Sequence, residues 1–365
     1  MDIIRNKITA FIIAIFIAVV FIFHHPSSAI PIDYGKYILA QMAVMMFIVL
    51  LSTDNIYFKL FFLWAGYRTL FQYNKEALIV FNTIFVYIMF YQFIKNKVKK
   101  ENIPTILNSI CIVSLFNVFL ILLKASHFLI EGCPLNNVLF IKTNLLSGIM
   151  GNINISSALL AVSLPLFFRK GWRWGIAIIW LGLIIMRCLG GIIPSALITI
   201  YFLCRGRRAI YKLLIAGVSS IPLFYFIRTD IIQSLVESSR LNVWKIIILR
   251  VIPVNWAQGM GLGQFKQLFP IMHRTLDKHY SALDFLHCHN EYFNLITELG
   301  VIPIFIIVGL MFYLKSIRVN TTISIVLFMG LCAFFMNAFV NFPIYTIVGM
   351  LFVLYIALLE VEYNA

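Results

Sequence analysis

The sequence predicts an all-α polytopic membrane protein, with about 12 transmembrane helices and one large outer loop that contains short helices. Three observations predict it. Charged residues make up 12% of the chain and hydrophobic ones 62%, where soluble domains carry about 25% charge. Apolar runs close to the roughly 20 residues needed to cross a bilayer recur along the chain. They are too long and uniform for barrel strands, and only helices or closed barrels satisfy their backbone in lipid. Finally, the net charge of +15 falls in short clusters between those runs: Arg5 and Lys7, Lys95 to Lys100, Arg169 to Arg173, Arg205 to Arg208 with Lys212, and Lys315 with Arg318. That is the pattern of cytoplasmic loops. It offers no contiguous basic face, which argues against nucleic acid as a partner.

Taken in order, the predicted spans are 8–23, 37–52, 56–71, 77–94, 103–124, 154–168, 174–187, 190–204, 213–227, 299–314, 322–339 and 344–359. The first is basic and then apolar, and could serve as a signal peptide with Ser27 to Ala29 as a cleavage site; we read it as a retained helix. The third carries Lys59 and Arg68, read as interfacial or helix-paired, and is required by parity. With the N-terminus inside, both termini and every basic cluster fall on the cytoplasmic side. No internal repeat is evident, so the chain reads as one integral membrane domain over residues 1–365.

This count leaves two outer loops, about 125–153 and 228–298. All seven histidines lie on the outer side: His24, His25, His127, His273, His279, His287 and His289. The second loop also holds Asp230, Glu237, Asp277, Asp284, Glu291 and Glu298, six of the 14 acids. It alone has a soluble-like composition, and function is expected there. Within it, residues 230–253 read as an amphipathic helix ended by Pro253. Arg240 and Trp244, four residues apart, share a face. The glycines of "GMGLGQF" (Gly259 to Phe265) follow no strand, so a tight turn fits better than a phosphate-binding loop. Cys133 and Cys288 sit in the outer loops and are candidates for a disulfide in an oxidising compartment.

His287, Cys288 and His289 fall short of the three or four spaced ligands of a zinc site, and no metal is expected. A single histidine acting as base, with arginines holding an anion, is more economical, because imidazole exchanges protons near neutrality. The competing reading of His289 is a helix-entry residue among headgroups. That of Arg187, at the outer end of its helix, is an interfacial anchor. Arg240 could equally lie on a solvated helix face.

"SRLNVW" (Ser239 to Trp244), Pro253, "GMGLGQF" and "HNEYFNLITELGVIPIF" (His289 to Phe305), in that order within one outer loop, resemble the O-antigen ligase and polymerase family of bacterial inner-membrane glycosyltransferases. The resemblance covers about Arg187 to Leu314. It implies transfer of a glycan from an undecaprenyl diphosphate carrier to an acceptor hydroxyl at the periplasmic face, without metal or other cofactor. The acceptor in the ligase is lipid A-core oligosaccharide; polymerisation of repeat units is the alternative. By the same resemblance, His289 would activate the acceptor, while Arg240 and Arg187 would hold the diphosphate. Trp244, Asn290 and Tyr292 are expected to line the substrate site. Met186 and Cys188 flank Arg187 where the family often has a small or hydroxyl residue. A transporter or lipid-carrier flippase is the reading from a different class; it predicts repeats and midplane polar residues.

Overall fold

The computed structural model describes residues 45–46, 48–71, 75–130, 146–150, 152–205, 240–265, 288, 290–341, 344 and 346–364. Among these, all regular structure is helical, and there is no strand. The helices are α1 (Ile56–Phe71), α2 (Lys75–Lys97), α3 (Ile103–Ile130), α4 (Ile153–Ser163), α5 (Gly175–Met186), α6 (Leu189–Cys204), α7 (Arg240–Ile246), α8 (Ile252–Asn255), α9 (Glu291–Leu299), α10 (Ile302–Ser316), α11 (Thr322–Ala338) and α12 (Ile347–Asn364). A 3-10 turn, Leu164–Phe168, extends α4. The predicted spans 8–23 and 213–227, and most of 37–52, lie outside the described residues.

Among the described residues, three stretches are long and apolar enough to cross a membrane: Ala77–Lys97, Lys100–His127 and Ile347–Asn364. The centre of the bundle is α4, α11 and α12, with α2, α3, α5 and α6 packed around them. Close approach at this centre depends on small residues. A Cβ on Gly330 of α11 would lie 2.4 Å from the Tyr355 ring of α12. Outer faces remain apolar: Ile112, Val113, Phe116 and Phe119 on α3, and Phe305 and Phe312 on α10, are exposed. A helix apolar on every side suits lipid rather than water.

Many polar contacts between elements lie at the two ends of the bundle, while Trp180 with Thr199 and Tyr355 with the Val162 carbonyl lie between them. At one end, Glu360 of α12 accepts from Tyr91 (2.6 Å) and Asn55 (3.3 Å) and pairs with Lys95 at 3.1 Å. Glu362 accepts from Thr321 and pairs with Lys100. Arg169 reaches Asn108, in the second turn of α3. At the other end, the glycine turn, α9 and the α5–α6 connection come together.

One sequence expectation is corrected here. Pro253 does not end the helix that begins at Arg240. The backbone widens into a π turn at Ile247–Val251, and α8 continues through Pro253 to Asn255. Pro253 thus occupies the first turn of a new helical segment, where its missing N–H needs no partner.

Candidate functional site

The start of α9 is held on three sides. Asn290 is its N-cap: Oδ1 accepts from the Phe293 N–H at 3.0 Å, and Nδ2 donates to the Phe339 carbonyl at 2.9 Å. Cap and tertiary contact therefore come from one side chain. Tyr292 donates its hydroxyl to the Phe335 carbonyl at 3.0 Å, and its ring lies 4.6 Å from that of Phe339. Cys288 is buried and free; its thiol donates to the Asn290 carbonyl at 2.7 Å, and its own carbonyl accepts from the Trp244 indole at 2.7 Å. His289, between these two pinned neighbours, lies outside the described residues, as do His287 and Cys133.

Arg240 opens α7, and its side chain lies outside the described ones. One turn later, Trp244 crosses to Cys288 and packs edge-on against Phe293, with ring centroids 5.9 Å apart. Val243, Ile247 and Val251 form a small core with Met260, Phe265 and Cys288. Residues 243–265 and Cys288 therefore have an apolar core of their own.

The stretch "GMGLGQF" is a turn, as expected, with positive φ at Gly259, Gly261 and Gly263. It has a specific task. A helix leaves its last four carbonyls without intrahelical partners, and in α9 all four are met. Ile296 accepts from Gly300 N–H, Thr297 from Met260 N–H (2.7 Å), Glu298 from Gly261 N–H (2.8 Å) and Leu299 from the Trp64 indole (2.7 Å). The Glu298 carboxylate adds the Phe265 N–H at 3.4 Å. Behind the turn, Arg68 is buried and donates to the Gln258 side chain at 3.3 Å and the Gly259 carbonyl at 3.0 Å.

Arg187 ends α5 in the left-handed conformation (φ 48°, ψ 32°), its N–H reaching the Leu183 and Ile184 carbonyls. It is the sole non-glycine residue with positive φ among the described ones. Such a cap usually falls to glycine, so the arginine occupies it at a backbone cost. The chain then turns through Cys188, whose thiol meets Asn154, to Gly190, whose carbonyl accepts from Asn337 of α11. Asn337 also accepts from Asn341. The end of α11 thus receives the Arg187 turn at Asn337 and the N-cap of α9 at Phe339.

Glu291 is buried, with Oε2 accepting from the Ile344 N–H at 3.3 Å and Oε1 meeting no partner among the described residues. Burial pushes its carboxyl up to about 8, with the Ile344 N–H and the Asn294 side chain opposing. Burial also raises the Cys288 thiol, and raises Tyr292 to about 12 with the Glu291 charge adding to it. Among the described residues, no three His, Cys, Asp or Glu side chains are grouped to hold a metal ion.

Sequence reasoning named Arg187, Arg240 and His289; the Arg240 helix meets Cys288, before His289, through Trp244, while the turn after Arg187 and Asn290, after His289, both dock on the end of α11. Trp244, Asn290 and Tyr292 direct their hydrogen-bonding groups into the scaffold. Arg68 and Asn337 went unrecognised as its supports; a buried position inside an apolar run was the signal available for each. No protein-family model, curated protein or solved structure matches this chain.

Proposed function

We propose that the protein is an O-antigen ligase of the bacterial inner membrane, transferring undecaprenyl diphosphate-linked O-polysaccharide to lipid A-core oligosaccharide at the periplasmic face. One observation carries this reading: the corner at the end of α11, where the Arg187 turn docks on Asn337 and the residue after His289 docks on Phe339, while the Arg240 helix reaches the residue before His289 through Trp244. The bundle end that gathers Lys95, Lys100 and Arg169 is the cytoplasmic one in this reading, as the positive-inside rule requires. The opposite corner then faces the periplasm, in a topology of 12 spans with both termini inside.

The chemistry needs a base and an anion clamp. His289 takes the proton of the acceptor hydroxyl as its oxygen attacks the anomeric carbon. The bond from that carbon to the diphosphate oxygen breaks, and the electron pair leaves with the diphosphate. Arg187 and Arg240 neutralise the developing charge by charge-assisted hydrogen bonds, in place of a metal ion. Attack opposite the leaving group inverts the anomeric centre. Membrane lipids surround the donor's polyprenyl chain throughout.

Polymerisation of repeat units uses the same donor and residues, and one experiment separates the two. Hosts that lack either the ligase or the O-antigen polymerase, and share this protein's glycan and core, are complemented and read as a lipopolysaccharide ladder, with His289→Ala alongside. Restoration of the long-chain ladder only in the ligase-deficient host is the expected result. Restoration only in the other host makes the protein a polymerase. Rescue of neither, at good expression, overturns both, and transport becomes the reading to test.

A further inference from the structure

The helical segment that begins at Arg240 has two apolar sides. Val243, Ile247 and Val251, four residues apart, face the small core with Phe265 and Cys288. Lys245, Leu249 and Pro253 have the same spacing, displaced by two residues, which places them on the opposite side. All three are exposed. Ile248, Val254 and Trp256 flank this stripe and are exposed too, Val254 to 76%. A segment apolar on both faces needs a cover on both. An exposed apolar patch rimmed by polar residues marks a contact with a membrane or another protein.

Two observations favour the membrane. The first is position. The Trp256 carbonyl accepts the Val301 N–H at 2.8 Å, and two residues earlier the Leu299 carbonyl accepts from the Trp64 indole. The patch thus adjoins the mouth of α10, whose outward face is exposed and apolar at Phe305 and Phe312. Trp64 stacks on Tyr67, so aromatic rings with polar handles gather at this level, as they do at bilayer surfaces. The second is charge. Residues 240–265 contain Arg240, Lys245 and Arg250 and no Asp or Glu, and Lys245 and Arg250 are exposed. A basic rim around aliphatic and tryptophan side chains suits a helix that lies in an anionic headgroup layer. We propose that this face docks on the membrane leaflet at the α9 end of the bundle, with Ile248, Leu249, Val254 and Trp256 beneath the headgroups and Lys245 and Arg250 against the phosphates of anionic phospholipid. The docking sets the depth of the helix that opens with Arg240, and it does not depend on glycosyl transfer.

The test uses the full-length protein in vesicles of equal parts phosphatidylcholine and phosphatidylglycerol. Photoreactive benzoylphenylalanine takes the place of Val254 and, in a separate preparation, of Phe119 on the outward face of α3, and adducts are identified by mass spectrometry. Phospholipid adducts are expected at both positions. At 254, phosphatidylglycerol adducts should exceed phosphatidylcholine adducts by about fivefold, the pull of one basic residue at a charged surface; at 119 the two should be equal. Lys245→Gln with Arg250→Gln should keep the adduct at 254 and equalise the two lipids. Both side chains are exposed, so this pair of changes leaves the core intact. Adducts at 119 but none at 254 overturn the proposal, and so does a covalent dimer formed through 254, which assigns the face to a second copy of the chain. Equal adducts of the two lipids at 254 before the basic residues are changed, or a preference that survives their loss, overturns it as well. None of these outcomes bears on the complementation result.

Discussion

The indole nitrogen of Trp244 donates to the carbonyl of Cys288 at 2.7 Å. These residues lie 44 positions apart, and the bond joins the helix that begins at Arg240 to the residue before His289. In the proposed reaction, the anion clamp and the base must hold a fixed separation while a glycosidic bond breaks between them. Trp244→Phe removes the hydrogen bond and keeps an aromatic ring beside Phe293. With about 1 kcal/mol lost, transfer should fall by about fivefold or more, with membrane abundance unchanged. A ladder of wild-type intensity at matched expression would show that this bond does not position the site.

The turn that closes α9 depends on two backbones in contact. A Cβ on Gly259 would lie 2.4 Å from the Glu298 carbonyl group, and one on Gly300 would lie 2.3 Å from the Ala257 carbonyl oxygen. Both glycines also have positive φ, near 70° and 75°. Alanine at either position combines left-handed strain with a backbone clash that no rotamer relieves. Gly259→Ala and Gly300→Ala should each lower the melting temperature in detergent by several degrees. Gly171 supplies the control: its φ is 89°, yet nothing lies within 4 Å of a Cβ there. Gly171→Ala should cost only the strain and melt well above the other two.

Arg68 holds the same turn from α1. Its planar guanidinium reaches both the Gln258 side chain and the Gly259 carbonyl, a fork that a lysine ammonium cannot reproduce. Arg68→Lys should therefore retain the charge and the fold but lose transfer by about an order of magnitude. Equal transfer by Arg68→Lys and wild type would reduce the arginine to a buried cation with no positioning task.

The contrast between Arg68 and the glycine turn shows what the sequence could convey. Apolar runs are local signals, and α6 (Leu189–Cys204) falls on the run read as 190–204, because helix length follows from hydropathy over consecutive residues. The turn at Gly259 to Phe265 was also local, since glycine marks positive φ. What the turn does was not local: its partners at Thr297 and Glu298 lie nearly 40 residues on, and Arg68 lies 191 residues away from Gly259. Pro253 misled for a related reason. A proline breaks an α-helical ladder, but a π turn before it opens the ladder and leaves no bond to break. The proposed site residues were named through a family resemblance; the scaffold around their neighbours, at Asn337, Phe339 and Trp244, gave no local signal of its contacts.

Glu291 gives stability a pH dependence with a defined sign. Its carboxyl is raised from 4.5 to about 8 in the folded protein. Between those values the folded state holds a proton that the unfolded state has released. Stability from this group is therefore complete below about pH 4.5 and declines as pH rises, until it levels off above about 8. The slope is at most about 1.4 kcal/mol per pH unit. Glu291→Gln should flatten the melting temperature between pH 5 and 8, so that the variant gains on the wild type as pH rises. A wild-type profile that is already flat, or that climbs across this range, would contradict a buried neutral acid at this position.

Arg187 combines a strained backbone with the side chain proposed to hold the diphosphate, and two substitutions separate these contributions. Arg187→Gly and Arg187→Ala both remove the guanidinium together with every contact it makes. They differ in the left-handed backbone at φ 48°, which glycine adopts freely and alanine at a cost of about 1 kcal/mol. Arg187→Gly should therefore melt above Arg187→Ala by a few degrees. If the arginine acts on the leaving diphosphate, the two variants should lose transfer to the same extent, despite their unequal stability. A loss that tracks melting temperature instead, with Arg187→Gly retaining most of the ladder, would assign Arg187 to the shape of the turn and leave Arg240 as the anion clamp.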